Sequence, residues 1–125
     1  MHGSLFELIE RTGGISDDNL LRYLFLQICD GLQAVHIKAR YAHLDLKLEN
    51  ILIGNDFKLK LCDFGSACHV DRDLVKKYGT EAYNAPEIED REGNKSYKGI
   101  QADIYSLGII LFTMKFGKPP FNIAK

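Results

Sequence analysis

A short polar stretch, residues 43–50, carries an acid, a cation and an amide within six positions. Asp45 and Lys47 are two positions apart, and Asn50 follows three positions later. A second acid, Asp63, comes after two apolar runs that are separated by a turn. Carboxylate and amide oxygens are hard ligands for a metal ion, and a lysine neutralises a polyanion. These residue types predict phosphoryl-transfer chemistry, in which positioning and charge neutralisation provide most of the catalysis.

The composition is that of an ordinary globular chain. Its 125 residues predict one domain at most, and hydrophobic and charged residues make up 46% and 26% of them. A net charge of −1 argues against a nucleic-acid or membrane-surface binder, because such proteins usually need a basic excess. Three cysteines favour reduced thiols in an intracellular setting, cytoplasmic or nuclear, over a disulfide framework. No secretory or membrane-spanning segment is predicted.

Three helices are predicted to position the polar residues. Ser4 can cap a short helix that runs to about Arg11, and the two glycines that follow end it. Residues 16–18 open a long helix with apolar residues at steps of three and four: Leu21, Leu24, Phe25, Ile28, Leu32 and Val35. The stretch Ile100–Phe116 is apolar on most sides, so we expect that helix to be buried all round.

The remaining segments are shorter. Ile51–Ile53 and Lys58–Cys62 are predicted as two strands around a turn. Residues 66–84 are polar and irregular, and such long unstructured stretches are usually functional or mobile. A proline predicts a short helix around Glu87–Asp90, and Glu89–Lys98 is interpreted as a charged, solvated loop.

Four motifs occur in order along the chain: residues 43–50, 63–65 (Asp-Phe-Gly), 85–87 (Ala-Pro-Glu) and 103–108. Together they resemble the signature set of eukaryotic protein kinases of the serine/threonine type. The resemblance covers the chain from about Gly3 to Phe121. It implies an α+β, mainly α-helical fold: a fragment of a kinase C-terminal lobe with a small antiparallel β-hairpin that carries the catalytic loops.

The resemblance implies catalytic roles for three residues. Asp45 would accept the proton of the substrate hydroxyl, and Lys47 would neutralise charge on the transferred phosphoryl group. Thr80 would hydrogen-bond to both of them. A lysine two places after the aspartate is also the pattern of serine/threonine kinases. By residue type alone, Asp45 could instead be a turn residue and Lys47 a surface lysine.

The resemblance also implies that ATP and Mg²⁺ are the cofactors. Asn50 and Asp63 would hold the metal, although they could otherwise be a strand cap and a turn acid. Leu52 would lie beneath the adenine, and Ser4 falls where many relatives place an acid for the ribose. Glu49 is included in the predicted nucleotide-binding set, and it also sits where some relatives bind an arginine upstream of the acceptor.

Asp103 stands near the start of the most apolar helix. It could complement the helix dipole or cap the helix, or it could be a buried anchor that accepts backbone N–H bonds from residues 43–50. The resemblance implies the second arrangement, with His43 and Phe64 stacked above the anchor.

Two positions depart from the family pattern. Leu44 stands where many relatives have an arginine that grips a phosphate on the activation segment. The position that usually carries this phosphate is Lys76. We therefore expect that phosphorylation does not order this segment in the usual way.

Residues 1–125 are interpreted as a partial kinase domain, the central part of a C-terminal lobe, because the family's glycine-rich loop, strand lysine and last helices have no counterpart in them. The predicted function is transfer of the ATP γ-phosphate to serine or threonine of a protein substrate, with weak or no activity of this chain alone. The alternative is a truncated pseudokinase-like, non-catalytic binding module. Neither nucleic acid nor a membrane is an expected partner, and the oligomeric state is not indicated.

Overall fold

The computed structural model of the chain describes residues 3–89 and 95–121. Its α-helices are α1 (Leu5–Thr12), α2 (Asp18–Gln33), α3 (Pro86–Glu89) and α4 (Gly99–Phe116). A π-helix, Ala34–Ala39, continues α2, and 3₁₀ turns cover Leu48–Asn50 and Glu81–Tyr83. Six short strands complete it: β1 (Tyr41–Ala42), β2 (Ile51–Ile53), β3 (Leu59–Leu61), β4 (Cys68–His69), β5 (Asp73–Leu74) and β6 (Tyr97–Lys98).

The first two helices begin where their capping residues predict. The Ser4 Oγ accepts the Glu7 N–H at 3.3 Å, and Glu7 Oε1 accepts the Ser4 N–H at 3.0 Å, so a complete capping box opens α1. Gly13 ends α1 with a left-handed φ of 74°. The Asp17 carboxylate caps α2 by accepting the backbone N–H groups of its first turn. Local sequence signals therefore determine these boundaries.

The strands form three two-stranded antiparallel sheets, β1–β4, β2–β3 and β5–β6. The predicted hairpin is β2–β3, in which Ile51 faces Leu61. The prediction of irregular structure for residues 66–84 is wrong for β4 and β5, and β6 lies within the predicted loop 89–98. Strands of two residues carry no pattern of their own and form only through pairing with distant strands. Residues 90–94, including the predicted helix end at Asp90, lie outside the described residues.

The polar loop 43–50 contributes side chains to two apolar clusters, Leu46 and Leu48 to one and Leu44 to the other. The first cluster joins α1, α2, the loop, β2 and the later part of α4, and its buried residues are Leu5, Ile9, Ile15, Leu24, Ile28, Leu32, Leu46, Leu48, Ile51, Ile53, Ile110 and Met114. The second cluster joins β1, β4, β5, β6 and α3 to the start of α4, and its buried residues are Ala42, Leu44, Cys68, Leu74, Ala85, Ile88, Tyr97 and Ala102. Helix α4 therefore contributes to both clusters.

The expectation that α4 is buried all round is wrong. Ile104 and Phe116 are 54% and 55% exposed, and Leu111 and Phe112 are also exposed. Ile104 lines an open groove with Leu32 and Ile37, so α2 and the π-helix cover it only in part, and uniform apolarity of the helix did not translate into uniform burial. No helix in the described part of the chain has both the length and the apolar character needed to span a bilayer.

Gly117, which follows α4, lies against the end of α1. Its φ is 79°, and a Cβ there would collide with the carbonyl group of Gly13. We expect Gly117→Ala to lower the free energy of unfolding by about 1–3 kcal/mol, because both the backbone conformation and the space require glycine. The matched control is Gly108→Ala inside α4, where an added Cβ meets nothing within 4 Å. That change should stabilise by about 0.5–1 kcal/mol, and urea denaturation of both variants measures the difference.

Candidate active site

The polar loop 43–50 connects β1 to β2 and is anchored by a buried acid. Asp103 is 1% exposed, and its carboxylate accepts the backbone N–H of His43 at 2.7 Å and that of Leu44 at 2.8 Å. Leu44 has a φ of 70°, a conformation that is uncommon for a leucine. Of the two interpretations of Asp103, the structure shows the buried anchor of the loop.

A buried histidine completes this anchor. His36, in the π-helix, places Nε2 at 2.7 Å from Asp103 Oδ2, and only 8% of His36 is exposed. Both carboxylate oxygens of Asp103 accept backbone N–H groups, so the imidazole is the donor in this hydrogen bond. The role of His36 was not predicted from the sequence. Its burial could have been, because His36 lies four positions after Leu32 on the buried face of a helical pattern.

The structure brings Asp45, Lys47 and Thr80 together. Lys47 Nζ donates to Thr80 Oγ1 at 2.9 Å, and Thr80 Oγ1 donates to Asp45 Oδ1 at 2.9 Å. The second carboxylate oxygen of Asp45, Oδ2, is 3.9 Å from Lys47 Nζ. The side chains of Asp45 and Lys47 are 20% and 24% exposed, so both remain accessible to a ligand. One hydroxyl thus connects an acid and a cation that come from the same loop.

Asn50 closes the other end of the loop. Its Nδ2 donates to the Asp45 backbone carbonyl at 2.8 Å and approaches Asp45 Oδ2 at 3.5 Å. Its own backbone carbonyl accepts the Cys62 N–H at 2.9 Å, which ties the loop to the residue before Asp63. These bonds use the nitrogen of the Asn50 amide and leave the amide oxygen as an acceptor.

Asp63 is exposed and follows β3 with a φ of 60°. Its Oδ1 accepts the Gly65 N–H at 3.3 Å, which forms a tight turn. His43 connects this turn to the loop, because its Nε2 donates to the Cys62 carbonyl at 2.8 Å and its ring contacts Phe64 at a centroid distance of 4.7 Å. Burial, followed by the negative charge of Asp63, raises the pKa of the Cys62 thiol.

The residues that could hold a metal are Asn50 and Asp63. In the described part of the chain, no group of three or more histidine, cysteine, aspartate or glutamate side chains is arranged to hold an ion. Mg²⁺ is usually bound by one or two carboxylates, with water and phosphate oxygens completing its octahedron. One carboxylate and one amide oxygen fit that requirement when a phosphorylated ligand supplies the remaining oxygens.

The other predicted nucleotide-binding residues are more dispersed. Leu52, in β2, is half-buried and forms an isolated antiparallel bridge with Ser4. The Ser4 hydroxyl is already engaged in the α1 cap, so a ribose would have to compete with Glu7 for it. Glu49 is exposed and lines a cleft of about 310 Å³ that also includes Thr80 and Tyr83. The described hydrogen bonds do not join Ser4 to Asp45 or Asp63.

The Tyr83 phenol, which lines the same cleft, titrates at high pH. Burial raises the pKa of Tyr83 to about 12, and the charge of Glu49 acts in the same direction. The folded state therefore keeps a proton that the unfolded state releases above about pH 10. The proton that Tyr83 retains contributes about 2 kcal/mol to the free energy of unfolding. This contribution is fully present below pH 10 and is lost as the pH rises to 12.

Tyr83→Phe should consequently lose less stability than the wild type between about pH 9 and pH 12. Urea denaturation at the two pH values measures the difference. The control is Tyr23→Phe, because this exposed residue lies outside the cleft and the variant retains Tyr83. If the free energy of unfolding fell equally with pH in the wild type and in Tyr83→Phe, the raised pKa of Tyr83 would be contradicted.

The segment between Asp63 and Thr80 is held by apolar packing and hydrogen bonds. Leu44 is 5% exposed and packs in the second cluster with Leu74 and Tyr97. The Tyr97 hydroxyl donates to the Lys76 backbone carbonyl at 2.6 Å. Leu44 and the Lys76 backbone, at the positions where the family resemblance places an arginine and a phosphate, thus make these contacts with apolar side chains and with the Tyr97 hydroxyl.

Comparison with known proteins identifies the class. The family model described as the protein kinase domain matches residues 1–125. The chain therefore belongs to the protein kinase family, as the resemblance predicted. Its helices and small antiparallel sheets are those of a fragment of such a domain.

The curated relatives are named as protein kinases, and two of the three described below are named as serine/threonine-protein kinases. The chain is 39% identical over 122 residues to "Probable serine/threonine-protein kinase CCRP1" of Zea mays, which covers 95% of this chain. It is 37% identical to "Cell cycle serine/threonine-protein kinase CDC5/MSD2" of Saccharomyces cerevisiae over 97% of the chain, and 38% identical to "CBL-interacting protein kinase 29" of Oryza sativa over 98%. The chain spans 19%, 17% and 27% of the lengths of these three relatives.

Proposed function

We propose that the chain is the catalytic-loop part of a serine/threonine protein kinase, from the central region of the C-terminal lobe. The observation that carries this proposal is the hydrogen-bonded connection from Lys47 through Thr80 to Asp45. It holds an acid and a cation beside each other at a partly accessible position, as transfer of an anionic phosphoryl group to a hydroxyl requires. Family membership supports the same activity.

In this proposal Asp45 orients the acceptor hydroxyl and takes its proton. Thr80 occupies Asp45 Oδ1, so Oδ2 is the oxygen that faces the acceptor. Lys47 stands 3.9 Å from this oxygen and reduces the negative charge on the phosphoryl group as it moves. Asn50 keeps the Asp45 backbone in place through its 2.8 Å hydrogen bond to the Asp45 carbonyl.

Members of this family generally use ATP and Mg²⁺. We propose that Asn50 and Asp63 hold the metal, that Leu52 lies beneath the adenine and that Glu49 lines the approach of the substrate. Ser4 would reach a ribose only by sharing its cap hydrogen bonds. Bound Mg²⁺ would neutralise phosphate charge, while the residues of this chain position the groups around it.

We place the protein inside the cell, in the cytoplasm or nucleus, and we take its partner to be a protein with a serine or threonine acceptor. Three free cysteines, two half-buried and one buried, support a reducing compartment. The chain makes up about a fifth of the length of two of the relatives, so compartment and partner are proposals.

A phosphotransfer assay tests the proposal. Residues 1–125 and the natural polypeptide that includes the flanking coding sequence are incubated with γ-labelled ATP, Mg²⁺ and peptide libraries with serine, threonine or tyrosine as the acceptor. We expect label on serine and threonine, loss of labelling when Mg²⁺ is chelated, and much weaker transfer by residues 1–125 alone. Transfer to tyrosine only, or ATP binding without transfer by the longer polypeptide, would contradict the proposal.

A further inference from the structure

Thr80 stands at the end of a segment, residues 74–80, in which regular secondary structure stops after Leu74. A segment without a hydrogen-bond ladder of its own is held by contacts with other elements, because its backbone groups need partners. The hydrogen bonds of Thr80 to Lys47 and Asp45 therefore depend on what holds the residues before it. We call residues 74–80 the delivery segment.

Tyr97 holds the delivery segment at two successive points. Its backbone lies opposite Leu74 in the β5–β6 pair, where the regular pairing ends. Its hydroxyl reaches two residues further and donates to the Lys76 carbonyl at 2.6 Å. Only 7% of Tyr97 is exposed, so water does not readily replace a donor that is lost there. The hydroxyl thus extends the hold of β6 beyond the last paired residue.

Asn84 holds the next part of the delivery segment. Its Nδ2 donates to the Tyr78 carbonyl at 2.8 Å. Gly79 follows with a φ of 84°, and a Cβ there would collide with the Asn84 side chain and with the Leu44 carbonyl. The backbone is thus held at every second residue, and the Tyr97 hydroxyl provides the hold between the strand pair and Asn84.

The bond from Tyr97 acts on the backbone of the delivery segment and not on its side chains. Val75 is 43% exposed, and the Lys77 side chain is 53% exposed. The ammonium group of Lys76 lies 5.5 Å from the centroid of the Tyr78 ring, so Lys76 offers Tyr97 its carbonyl and not its charge. A bond between a neutral hydroxyl and a backbone carbonyl requires no charged group on the delivery segment.

We propose that Tyr97 is a positioning residue. Through the Lys76 carbonyl, its hydroxyl fixes the delivery segment and so keeps Thr80 bonded to Asp45. Without this donor, the segment would exchange between a bonded and a released arrangement, and only the bonded one leaves Asp45 Oδ2 facing the acceptor. The inference rests on the proposed function, because that function makes Asp45 the base.

The methyl resonances of the threonines test this positioning without any kinase activity. The chain has three threonines, Thr12, Thr80 and Thr113, so each gives its own signal in a ¹³C-methyl-labelled sample. Tyr97→Phe keeps the buried ring and removes only the donor. The released fraction should rise about fivefold to tenfold, the usual effect of losing one buried hydrogen bond. We therefore expect the Thr80 resonance to move toward its position in the urea-unfolded chain, while the other two stay in place.

Steady-state kinetics of the natural polypeptide that contains residues 1–125 give the second readout. Tyr97→Phe should lower kcat about fivefold, and KM for ATP should stay unchanged. Tyr97→4-aminophenylalanine retains an N–H donor, so it should restore most of kcat and the wild-type Thr80 resonance. If the wild type transferred no phosphate, the proposed function would be overturned, whereas the methyl resonances would still decide whether Tyr97 positions Thr80.

Tyr105→Phe is the matched control. The Tyr105 ring packs against the same apolar cluster as Tyr97, and the described hydrogen bonds do not include its hydroxyl. This variant should keep the wild-type kcat and Thr80 resonance. The positioning role is overturned if Tyr97→Phe leaves the Thr80 resonance in place, if Tyr105→Phe moves it as far, or if all three threonine resonances move together. A wild-type kcat in Tyr97→Phe would overturn it as well.

Discussion

Asp45→Asn is expected to lower kcat of the proposed kinase by about 10²- to 10⁴-fold, the usual contribution of a positioned general base. An asparagine has nearly the same shape, and its oxygen can still accept the hydrogen bond that Thr80 donates at 2.9 Å. It cannot accept the proton of the acceptor hydroxyl. The loss should therefore fall on kcat, and KM for ATP should change little.

Steady-state kinetics of the natural polypeptide that contains residues 1–125 measure this effect. Asp73→Asn provides the matched control, because this acid is exposed and pairs with Lys98 outside the loop 43–50. Its kcat should equal that of the wild type. Circular dichroism of both variants confirms that the fold is retained. Equal kcat values for Asp45→Asn and wild type would exclude Asp45 as the base.

Asp103→Ala is expected to lower the free energy of unfolding by about 3–5 kcal/mol, because a buried carboxylate that accepts three hydrogen bonds would be removed. Two backbone N–H groups, those of His43 and Leu44, would lose their acceptor in a buried region. The imidazole of His36 would lose its partner as well. The loop 43–50 would then lack its connection to α4, so activity should fall together with stability.

Urea denaturation provides the measurement, with a lower midpoint and an unchanged m-value as the expected result. Asp103→Asn keeps one acceptor oxygen, so its free energy of unfolding should lie between those of Asp103→Ala and the wild type. Asp73→Ala removes an exposed ion pair with Lys98 and should cost less than about 1 kcal/mol. If Asp103→Ala cost no more than Asp73→Ala, Asp103 would act on the helix dipole alone.

The parts of the fold that depend on interactions between residues close in sequence were predictable. Ser4 and Asp17 cap the helices that they were expected to cap, and β2 pairs with β3 across a turn. Helix α4 begins one residue before its predicted start. In each case the deciding interactions lie within a few positions along the chain, where periodicity and capping rules apply.

Interactions between distant segments decided what the sequence did not predict. β4 and β5 form only because β1 and β6 offer partners across long stretches of chain. His36 reaches an acid 67 positions away, and Thr80 reaches Asp45 across 35. The family resemblance anticipated the contacts of Thr80, whereas residue patterns alone could not. The π-helix was not predicted either, since its residues give no separate periodic signal.

The separation of the two apolar clusters implies that the chain contains two cooperative units. Among the residues that the structure describes, the first cluster has 12 buried members and includes long helical segments, whereas the second has eight and relies on two-residue strands. Units with fewer buried contacts open at lower free energy than the molecule as a whole. Amide protons of β4 to β6 should therefore exchange through local opening while α2 stays protected. The segment from β4 to β6 would then open and close without releasing the loop that Asp103 holds.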